Sequence, residues 1–283
     1  MLDREAYERD GFAIFPGLLQ GTLLAQLQAE SDRVFAEGLA ADASPLFDYE
    51  PTPPGAPRTV QRLRKPTAYA PFYMELARLP LILDLIEPLL GPDIRLHHSK
   101  INVKAPHVGS PLEWHQDWAF IPHTNRSLAI VSVFIDDCPT EKGPMLMLPG
   151  SHRGKLHDHH HQGVFFGAID PASLELDHAV ELPGPAGTIT VHSPLTVHGS
   201  GFNRSTSDRR ILFYEYAAAD AWPLFYGVDY PEYDTRIVRG RSCNEPRLEP
   251  CRVKMPYPTA VAGTGKIYDQ QQQFGLKHFR QPA

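Results

Sequence analysis

Two histidines and one aspartate form the pattern in this sequence that most directly predicts chemistry. His115 and Asp117 are separated by one residue within the segment EWHQDW. If this segment is a strand, residues i and i+2 project from the same face, so the imidazole and the carboxylate point the same way. Such a pair supplies two ligands of a 2-His-1-carboxylate site, which keeps open coordination positions and is typical of non-haem iron(II). Because HxD arises often by chance, a third ligand is needed.

His198 is the candidate for that third ligand. It ends the run TITVHSPLTVH and is followed by Gly-Ser-Gly, where glycine lets the backbone turn sharply. Eleven residues further along the chain, Arg209 opens the strand-like run RRILFYEYA. Arginine binds a carboxylate through two parallel hydrogen bonds and stays charged when buried. A carboxylate anchor at this spacing makes the pattern much more specific than HxD alone.

Composition and charge exclude several classes of partner. The chain has 283 residues and a formal net charge of −6, without a block of like charges, so nucleic-acid binding is not expected. The three cysteines are scattered and predict no disulfide framework, which favours a reducing cytoplasm. No apolar run approaches the roughly 20 residues that span a bilayer, and the first residues show no signal peptide. We expect a cytoplasmic protein that binds neither membrane nor nucleic acid; its oligomeric state is not predicted.

The first third of the sequence is predicted to be mainly helical. Short helices are expected at about 3–10 and 20–38, with a strand at about 11–15 between them. The stretch 69–90 has helical periodicity, and Pro80 and Pro88 are predicted to divide it into two helices.

Beyond Gly91, strand-like runs recur every ten to twenty residues and no helix is predicted between them. Strands at this spacing indicate a sandwich or a closed β-roll. We therefore predict a single domain over 1–283, with a helical part at about 1–90, a β-roll at about 91–220 and an aromatic C-terminal tail.

Four segments resemble, in order, parts of the phytanoyl-CoA dioxygenase family of iron(II)/2-oxoglutarate-dependent oxygenases. They are YERDGF at 7–12, WHQDW at 114–118, GPMLMLPGSH at 143–152, and HGSG at 198–201 with the following Asn203, Ser205, Arg209 and Arg210. The resemblance spans about residues 5–216. It implies a mostly β protein with flanking helices, folded as a double-stranded β-helix (jelly roll, cupin-like).

The resemblance also implies a reaction. Iron(II) would be bound by His115, Asp117 and His198, and 2-oxoglutarate and O₂ would be consumed while a small-molecule substrate is oxidised and succinate and CO₂ are released. Asp117 favours hydroxylation or a related oxidation, because halogenating relatives lack this carboxylate. The identity of the small molecule is not given by the sequence.

Several further residues are implied to bind the co-substrate. Arg209 would bind the distal carboxylate of 2-oxoglutarate, with Ser200 as a hydroxyl partner. Family members also use the strand before the HxD segment, and here it offers Lys100 and Asn102.

Aromatic residues are candidates for contact with the prime substrate. Those we single out are Trp118, Phe120, Phe166 and Trp222, and Tyr226 in the tail is a further one. Since aromatic residues in a β-roll are usually part of the core, packing is the alternative for each.

Other histidines and basic residues have alternative interpretations. His192 competes with His198 as third ligand, but a packing role or a contact with a ligand is favoured. The histidine-rich run 157–161 is expected to be mainly an exposed loop rather than a substrate contact or a second metal site. The basic residues between 58 and 65 form either an entrance for the phosphates of coenzyme A or a solvated surface, and we do not favour an acyl-CoA substrate.

Two other functions fit the same fold. One is a non-catalytic jelly-roll protein that binds a metal or ligand. The other is a cupin-like metal-dependent hydrolase or isomerase. The combination of the three ligands with Arg209 argues against both, because neither needs a buried anchor for 2-oxoglutarate.

Overall fold

The computed structural model describes residues 1–40, 45–51, 55, 57–225, 228–253 and 267–280. Within this part of the chain the α-helices are α1 (Arg4–Asp10), α2 (Gly21–Ala40), α3 (Pro66–Tyr69), α4 (Pro71–Ala77), α5 (Pro80–Leu90), α6 (Tyr230–Asp234) and α7 (Ile267–Gln272). No helix in the described ranges is both long and apolar enough to cross a membrane.

The helices differ from the prediction around the prolines. Pro71 and Pro80 each occupy the first turn of a helix, where the missing N–H costs no hydrogen bond. A new helix therefore begins at each of these prolines. Pro88 lies inside α5, close to its C-terminal end, and does not interrupt the helix. The prediction of two helices with a break at Pro80 is therefore confirmed, whereas the predicted break at Pro88 is wrong.

The strands form two main antiparallel sheets. In chain order they are β1 (Phe12–Phe15), β2 (Phe47–Tyr49), β3 (Val60–Arg64), β4 (Ile94–Lys104), β5 (Leu112–His115), β6 (Leu128–Phe134), β7 (Met145–Met147), β8 (His160–His161), β9 (Val164–Phe165), β10 (Val180–Leu182), β11 (Ile189–His192), β12 (His198–Ser200), β13 (Arg209–Ala218) and β14 (Ile237–Arg239). The large sheet runs β1-β11-β6-β13-β4-β3-β2, with β14 beside β4, and the small sheet runs β10-β7-β12-β5. Strand β1 agrees with the predicted strand at about 11–15, whereas β2 and β3 were not predicted in this mainly helical part; all three join the large sheet.

The large sheet separates two apolar layers. On its outer face it packs against the helices, where the hydroxyls of Tyr214 and Tyr216 donate to the backbone carbonyls of Tyr73 and Ala77. On its inner face, residues such as Phe134 pack towards the small sheet. Burial on both faces holds β4 and β13 rigidly, and these two central strands carry inward-facing polar residues.

Strands β4 and β13 pair in a register that orders those polar residues. Lys104 lies opposite Arg209, Asn102 opposite Ile211, Lys100 opposite Phe213 and His98 opposite Glu215. Beyond this last pair the register shifts, because Tyr216 lies opposite Leu96 and His97 is the extra residue of a β-bulge. A bulge re-aims side chains locally, and here both His97 and His98 line one cleft.

Candidate metal centre

His115 and His198 face each other across neighbouring strands. They form a direct pair in the antiparallel register of β5 and β12, and their ring centroids are 4.1 Å apart. A pair of residues opposite each other on one face of a sheet brings their side chains together however far apart they are in sequence.

Asp117 reaches the same place by a different route from the one predicted. Strand β5 ends at His115, and Asp117 begins a short 3₁₀ turn. Gln116 keeps an extended backbone, with φ −119° and ψ 126°, so residues 115 and 117 still project together before the chain turns away. The expected shared face is present, although the strand stops two residues earlier than the pattern indicated.

The three side chains converge on one point. The Oδ1 atom of Asp117 lies 3.6 Å from Nε2 of His115, and its Oδ2 atom lies 3.7 Å from Nε2 of His198. One ligand atom from each residue lies within 4.8 Å of the others, and all three residues are buried. We call these residues the His–Asp–His triad.

Backbone contacts fix which nitrogen of each histidine faces the centre. The Nδ1 atom of His115 donates to the carbonyl of Glu113 at 2.8 Å, and that of His198 donates to Thr196 at 3.0 Å. Both Nε2 atoms therefore carry lone pairs towards Asp117. Burial and the neighbouring His115 hold the pKa of His198 well below its usual value, which favours the neutral ligand form.

His192 supports the aspartate of the triad. Its Nε2 atom lies 3.4 Å from Oδ2 of Asp117, but it is not one of the residues whose ligand atoms cluster around a common point. Burial raises the pKa of Asp117, but the neighbouring imidazoles of His198, His115 and His192 outweigh burial and leave this pKa well below its usual value. The favoured interpretation of His192, a contact with a ligand, agrees with this geometry.

All seven residues predicted for the metal and the co-substrate line one cavity between the two sheets. They are Lys100, Asn102, His115, Asp117, His198, Ser200 and Arg209. Arg209 is 2 % exposed, its guanidinium donates to the carbonyl of Gly143 at 2.8 Å, and its Nε atom has no partner among the described residues. Within the same part of the chain, the Oδ1 atom of Asn102 is also buried without a partner. Since orphaned buried polar atoms are costly, this end of the cavity is suited to a polar ligand.

The donor set of this cavity fits iron(II) with 2-oxoglutarate. Two imidazoles and one carboxylate match the ligands of non-haem iron, and three protein ligands leave positions for a chelating co-substrate. The buried Arg209 supplies the cation for a second carboxylate in the same cavity.

A wider cleft of about 550 Å³ opens on the other side of the triad. Both spaces are lined by His115, Asp117, Lys100 and Asn102. His98 and Glu215 line the cleft but not the smaller cavity. The volume lies in the range of small-molecule sites.

The four predicted aromatic residues lie in different places. Phe120 lines the cleft beside the triad. Trp118 is buried in the core and lines a separate apolar cavity. Phe166 packs against Phe274, and Trp222 stacks on Tyr230 and lies at a tilt against Tyr233. The structure thus brings Phe120 to the cleft but not Trp118, Phe166 or Trp222, and Tyr226 lies outside the described residues.

The histidine-rich run is not a plain exposed loop. His159 is 2 % exposed, its Nδ1 atom donates to the carbonyl of His157 at 3.0 Å, and its Nε2 atom accepts the backbone N–H of Gln116 at 2.9 Å. His160 begins strand β8, which pairs with β9. The prediction of a mainly exposed loop is wrong here, because His159 anchors the residue between two members of the triad.

Sequence reasoning missed two residues of the site. Glu215 lies three strand alternations after Arg209, so the period of two along β13 was a usable signal. Tyr268 on α7 is 2 % exposed and lines the cavity that also contains Arg209 and the triad, which we call the co-substrate cavity after its predicted ligand. Nothing in the local sequence of Tyr268 signals this, because its position depends on how the C-terminal segment returns to β5.

Comparison with known proteins agrees with this site. The family model "Phytanoyl-CoA dioxygenase (PhyH)" matches residues 7–211. A Stutzerimonas stutzeri protein described as a probable alpha-ketoglutarate-dependent hypophosphite dioxygenase is 40 % identical over 255 residues, which cover 86 % of each chain. An ectoine dioxygenase from Bordetella parapertussis is 28 % identical over 247 residues, covering 80 % of this chain and 78 % of the relative.

A solved structure shows the same fold. The crystal structure of EctD from S. alaskensis with 2-oxoglutarate and 5-hydroxyectoine superposes with a TM-score of 0.65 at 26 % identity, over 77 % of each chain. The predicted jelly roll, iron and 2-oxoglutarate are thereby confirmed. The chain belongs to the phytanoyl-CoA dioxygenase family and is an iron(II)- and 2-oxoglutarate-dependent dioxygenase.

Proposed function

We propose that the His–Asp–His triad holds the catalytic iron(II) and that Arg209, with Asn102 and Ser200, receives 2-oxoglutarate. The observation that carries this is one cavity with the three convergent ligand atoms on its wall and the buried Arg209, with its unpaired Nε, beside them. If a dicarboxylate chelates the metal with one end, its other carboxylate can accept the hydrogen bond from the Nε atom of Arg209.

The residues around the iron bind, orient and exclude water. When bound, the iron supplies the activation of O₂ that oxidises the substrate. Asp117 is held by His192, and both histidine ligands are held by backbone carbonyls, so the ligand directions are set before metal binds. Phe120 packs edge-on against His115, with ring centroids 6.1 Å apart, and shields the triad on the cleft side.

The prime substrate is a small molecule that carries an anionic group. The name of the Stutzerimonas relative contains hypophosphite, which is an oxyanion. The name of the Bordetella relative contains ectoine, which carries a carboxylate. In this chain the basic side chains of Lys100, Arg62 and Arg64 line the cleft. Positive charge at a cleft attracts anionic substrates. Hypophosphite is the first substrate to test because its relative is the more similar of the two.

An anaerobic titration followed by oxygen tests the proposal. Iron(II) and 2-oxoglutarate added to the purified protein should give the weak visible charge-transfer band of the chelate, and oxygen with hypophosphite should then give succinate and phosphite. Asp117→Ala should show neither, whereas Asp177→Asn, at an exposed position, serves as the matched control. Iron binding by the wild-type protein without the band would contradict these residue roles.

The proposed location is the cytoplasm. Cys138, Cys243 and Cys251 are free thiols, and Cys138 is buried. Unpaired cysteines suit a reducing compartment, where iron also stays in the ferrous state more easily. Cell fractionation with an antibody against the protein checks this, and recovery in an oxidising compartment would contradict it.

A further inference from the structure

We propose that the ammonium group of Lys100 binds the anionic group of the prime substrate, and that Glu215 holds this ammonium in place. The proposal rests on the function proposed above and names the subsite on the cleft side of the triad. It differs from the role in 2-oxoglutarate binding that the family resemblance implied for Lys100.

The register of the central strands separates Lys100 from the co-substrate anchor. Lys100 pairs with Phe213, four residues along β13 from Arg209, which corresponds to about 13 Å between the backbones. The carboxylates of 2-oxoglutarate are joined by four carbon–carbon bonds of about 1.5 Å and span at most about 6 Å. Because this length is shorter than the separation of the two backbones, we assign a molecule anchored on Arg209 to the triad, and the Lys100 ammonium, which also lines the cleft, to the substrate side.

Glu215 draws the ammonium further from Arg209. The Nζ atom of Lys100 donates to Oε1 of Glu215 at 2.9 Å, and Glu215 is two residues beyond Phe213 on the same strand. The side chains of Lys100 and Glu215 are 21 % and 4 % exposed. An ammonium has three donors, and Glu215 is its hydrogen-bond partner in the described part of the structure, so two donors remain for a ligand.

The charges around Lys100 keep it cationic beside the metal site. Burial lowers the pKa of Lys100, but the charges of Glu215 and Asp117 outweigh it and raise the pKa above the usual value. Lys100 and Asp117 line both the co-substrate cavity and the cleft. An anion on the ammonium would therefore lie next to the iron, on the side from which a substrate approaches.

The arginines of the cleft are already paired with carboxylates, Arg64 with Asp48 at 3.4 Å among them. Arg62 is paired with Asp48 at 2.7 Å, and Arg236 is paired with Glu232 at 2.6 Å. Lys65 is exposed to solvent, where a single charge binds an anion weakly. Among these, Lys100 combines burial, unused donors and proximity to the triad.

The test separates substrate binding from co-substrate binding. Lys100→Met keeps the length of the side chain and removes its charge, and Lys65→Met is the matched control in the same cleft. In the anaerobic iron(II)·2-oxoglutarate complex, calorimetry measures the dissociation constants of hypophosphite and of ectoine, and the visible band measures that of 2-oxoglutarate. Oxygen is absent, so binding is read without turnover.

We expect Lys100→Met to weaken binding of the anion that the wild-type complex binds by roughly 10- to 100-fold. The 2-oxoglutarate constant should change by less than about 3-fold, and Lys100→Arg should restore part of the affinity. A response to hypophosphite alone identifies an inorganic oxyanion, and a response to ectoine alone identifies a carboxylate. Glu215→Ala should weaken anion binding in the wild-type background but add little to Lys100→Met, because the two residues act as a unit.

Three results would overturn the proposal. The first is a loss of 2-oxoglutarate affinity in Lys100→Met without a loss of affinity for hypophosphite or ectoine. The second is an equal loss in Lys65→Met. The third is a wild-type complex that shows the chelate band but binds neither hypophosphite nor ectoine at millimolar concentration. Absence of the band in the wild-type protein would instead contradict the proposed function itself.

Discussion

The Nε2 atom of His192 lies 3.4 Å from Oδ2 of Asp117, so a histidine on the large sheet orients the carboxylate of a triad whose histidines lie on the small sheet. The Nδ1 atom of His192 is buried and has no hydrogen-bond partner among the described residues, so the ring contacts the site through Nε2. The metal site therefore depends on contact between the two sheets as well as on its own strands.

Replacement of His192 tests this support. We expect His192→Phe to weaken iron(II) binding by roughly 10- to 100-fold, because the carboxylate loses the donor that fixes its direction. His192→Gln can donate from its amide and should recover part of the affinity. Competition with a chelator measures the constants under anaerobic conditions. Wild-type affinity in His192→Phe would show that Asp117 is held without this contact.

Two adjacent arginines provide a matched pair for the co-substrate anchor. Arg209 points into the cavity, whereas Arg210 points outward and pairs with Asp136 at 2.8 Å and Asp32 at 2.6 Å. We expect Arg209→Met to raise the KM for 2-oxoglutarate by roughly 10- to 100-fold, because a buried carboxylate loses its charged partner. Steady-state kinetics with 2-oxoglutarate as the varied substrate measures this.

Arg210→Met is the control for that experiment. It should leave this KM unchanged and lower the free energy of unfolding by about 1 kcal/mol, the value of a partly exposed ion pair. A rise of KM in Arg210→Met equal to that in Arg209→Met would mean that the distal carboxylate is not bound by Arg209 specifically.

Helix α7 closes the co-substrate cavity with Tyr268. The helix is attached by Gln271, whose Oε1 atom accepts the N–H of Glu113 at 2.8 Å and whose Nε2 atom donates to Gly167 at 2.7 Å. We expect Tyr268→Ala to admit water to the cavity, to raise the KM for 2-oxoglutarate several-fold and to increase succinate formation in the absence of substrate. Tyr268→Phe keeps the ring and should behave like the wild type. If both variants match the wild type, α7 does not contribute to this cavity in solution.

His159 gives the stability of the protein a defined dependence on pH. Burial lowers the pKa of His159 to about 3 from a usual value of 6.5, and its Nε2 atom must stay unprotonated to accept the N–H of Gln116. Below pH 6.5 His159 is protonated in the unfolded chain but stays neutral in the folded protein, which favours unfolding. The contribution of the buried neutral His159 to the free energy of unfolding is therefore complete above pH 6.5 and is lost as the pH falls. The loss should reach about 2 kcal/mol at pH 5.

Urea unfolding at about pH 7.5 and about pH 5 measures that loss. In His159→Asn the difference between the two pH values should shrink by about 2 kcal/mol. His178→Asn, at an exposed position, should leave the difference as in the wild type. An unchanged difference in His159→Asn would mean that other groups produce the pH dependence.

The sequence by itself determined the chemistry of the centre. The ligand types, the HxD spacing and the interval of eleven residues between His198 and Arg209 are local features, and the HxD spacing is readable because side chains alternate along a strand. The recurrence of strand-like runs every ten to twenty residues predicted a β-roll behind N-terminal helices. A single sequence carries these signals because they concern residues that are close along the chain.

Tertiary structure alone decided which of several equally plausible residues reach the site. The contact of His192 with Asp117, the bulge at His97 and the return of Tyr268 to β5 all depend on which strands pair and in what register. Pairing between distant segments is set by the burial of whole faces, so it is not encoded in the spacing of neighbouring residues. For the same reason Phe120 lines the cleft while Trp118, two residues earlier, is buried in the core.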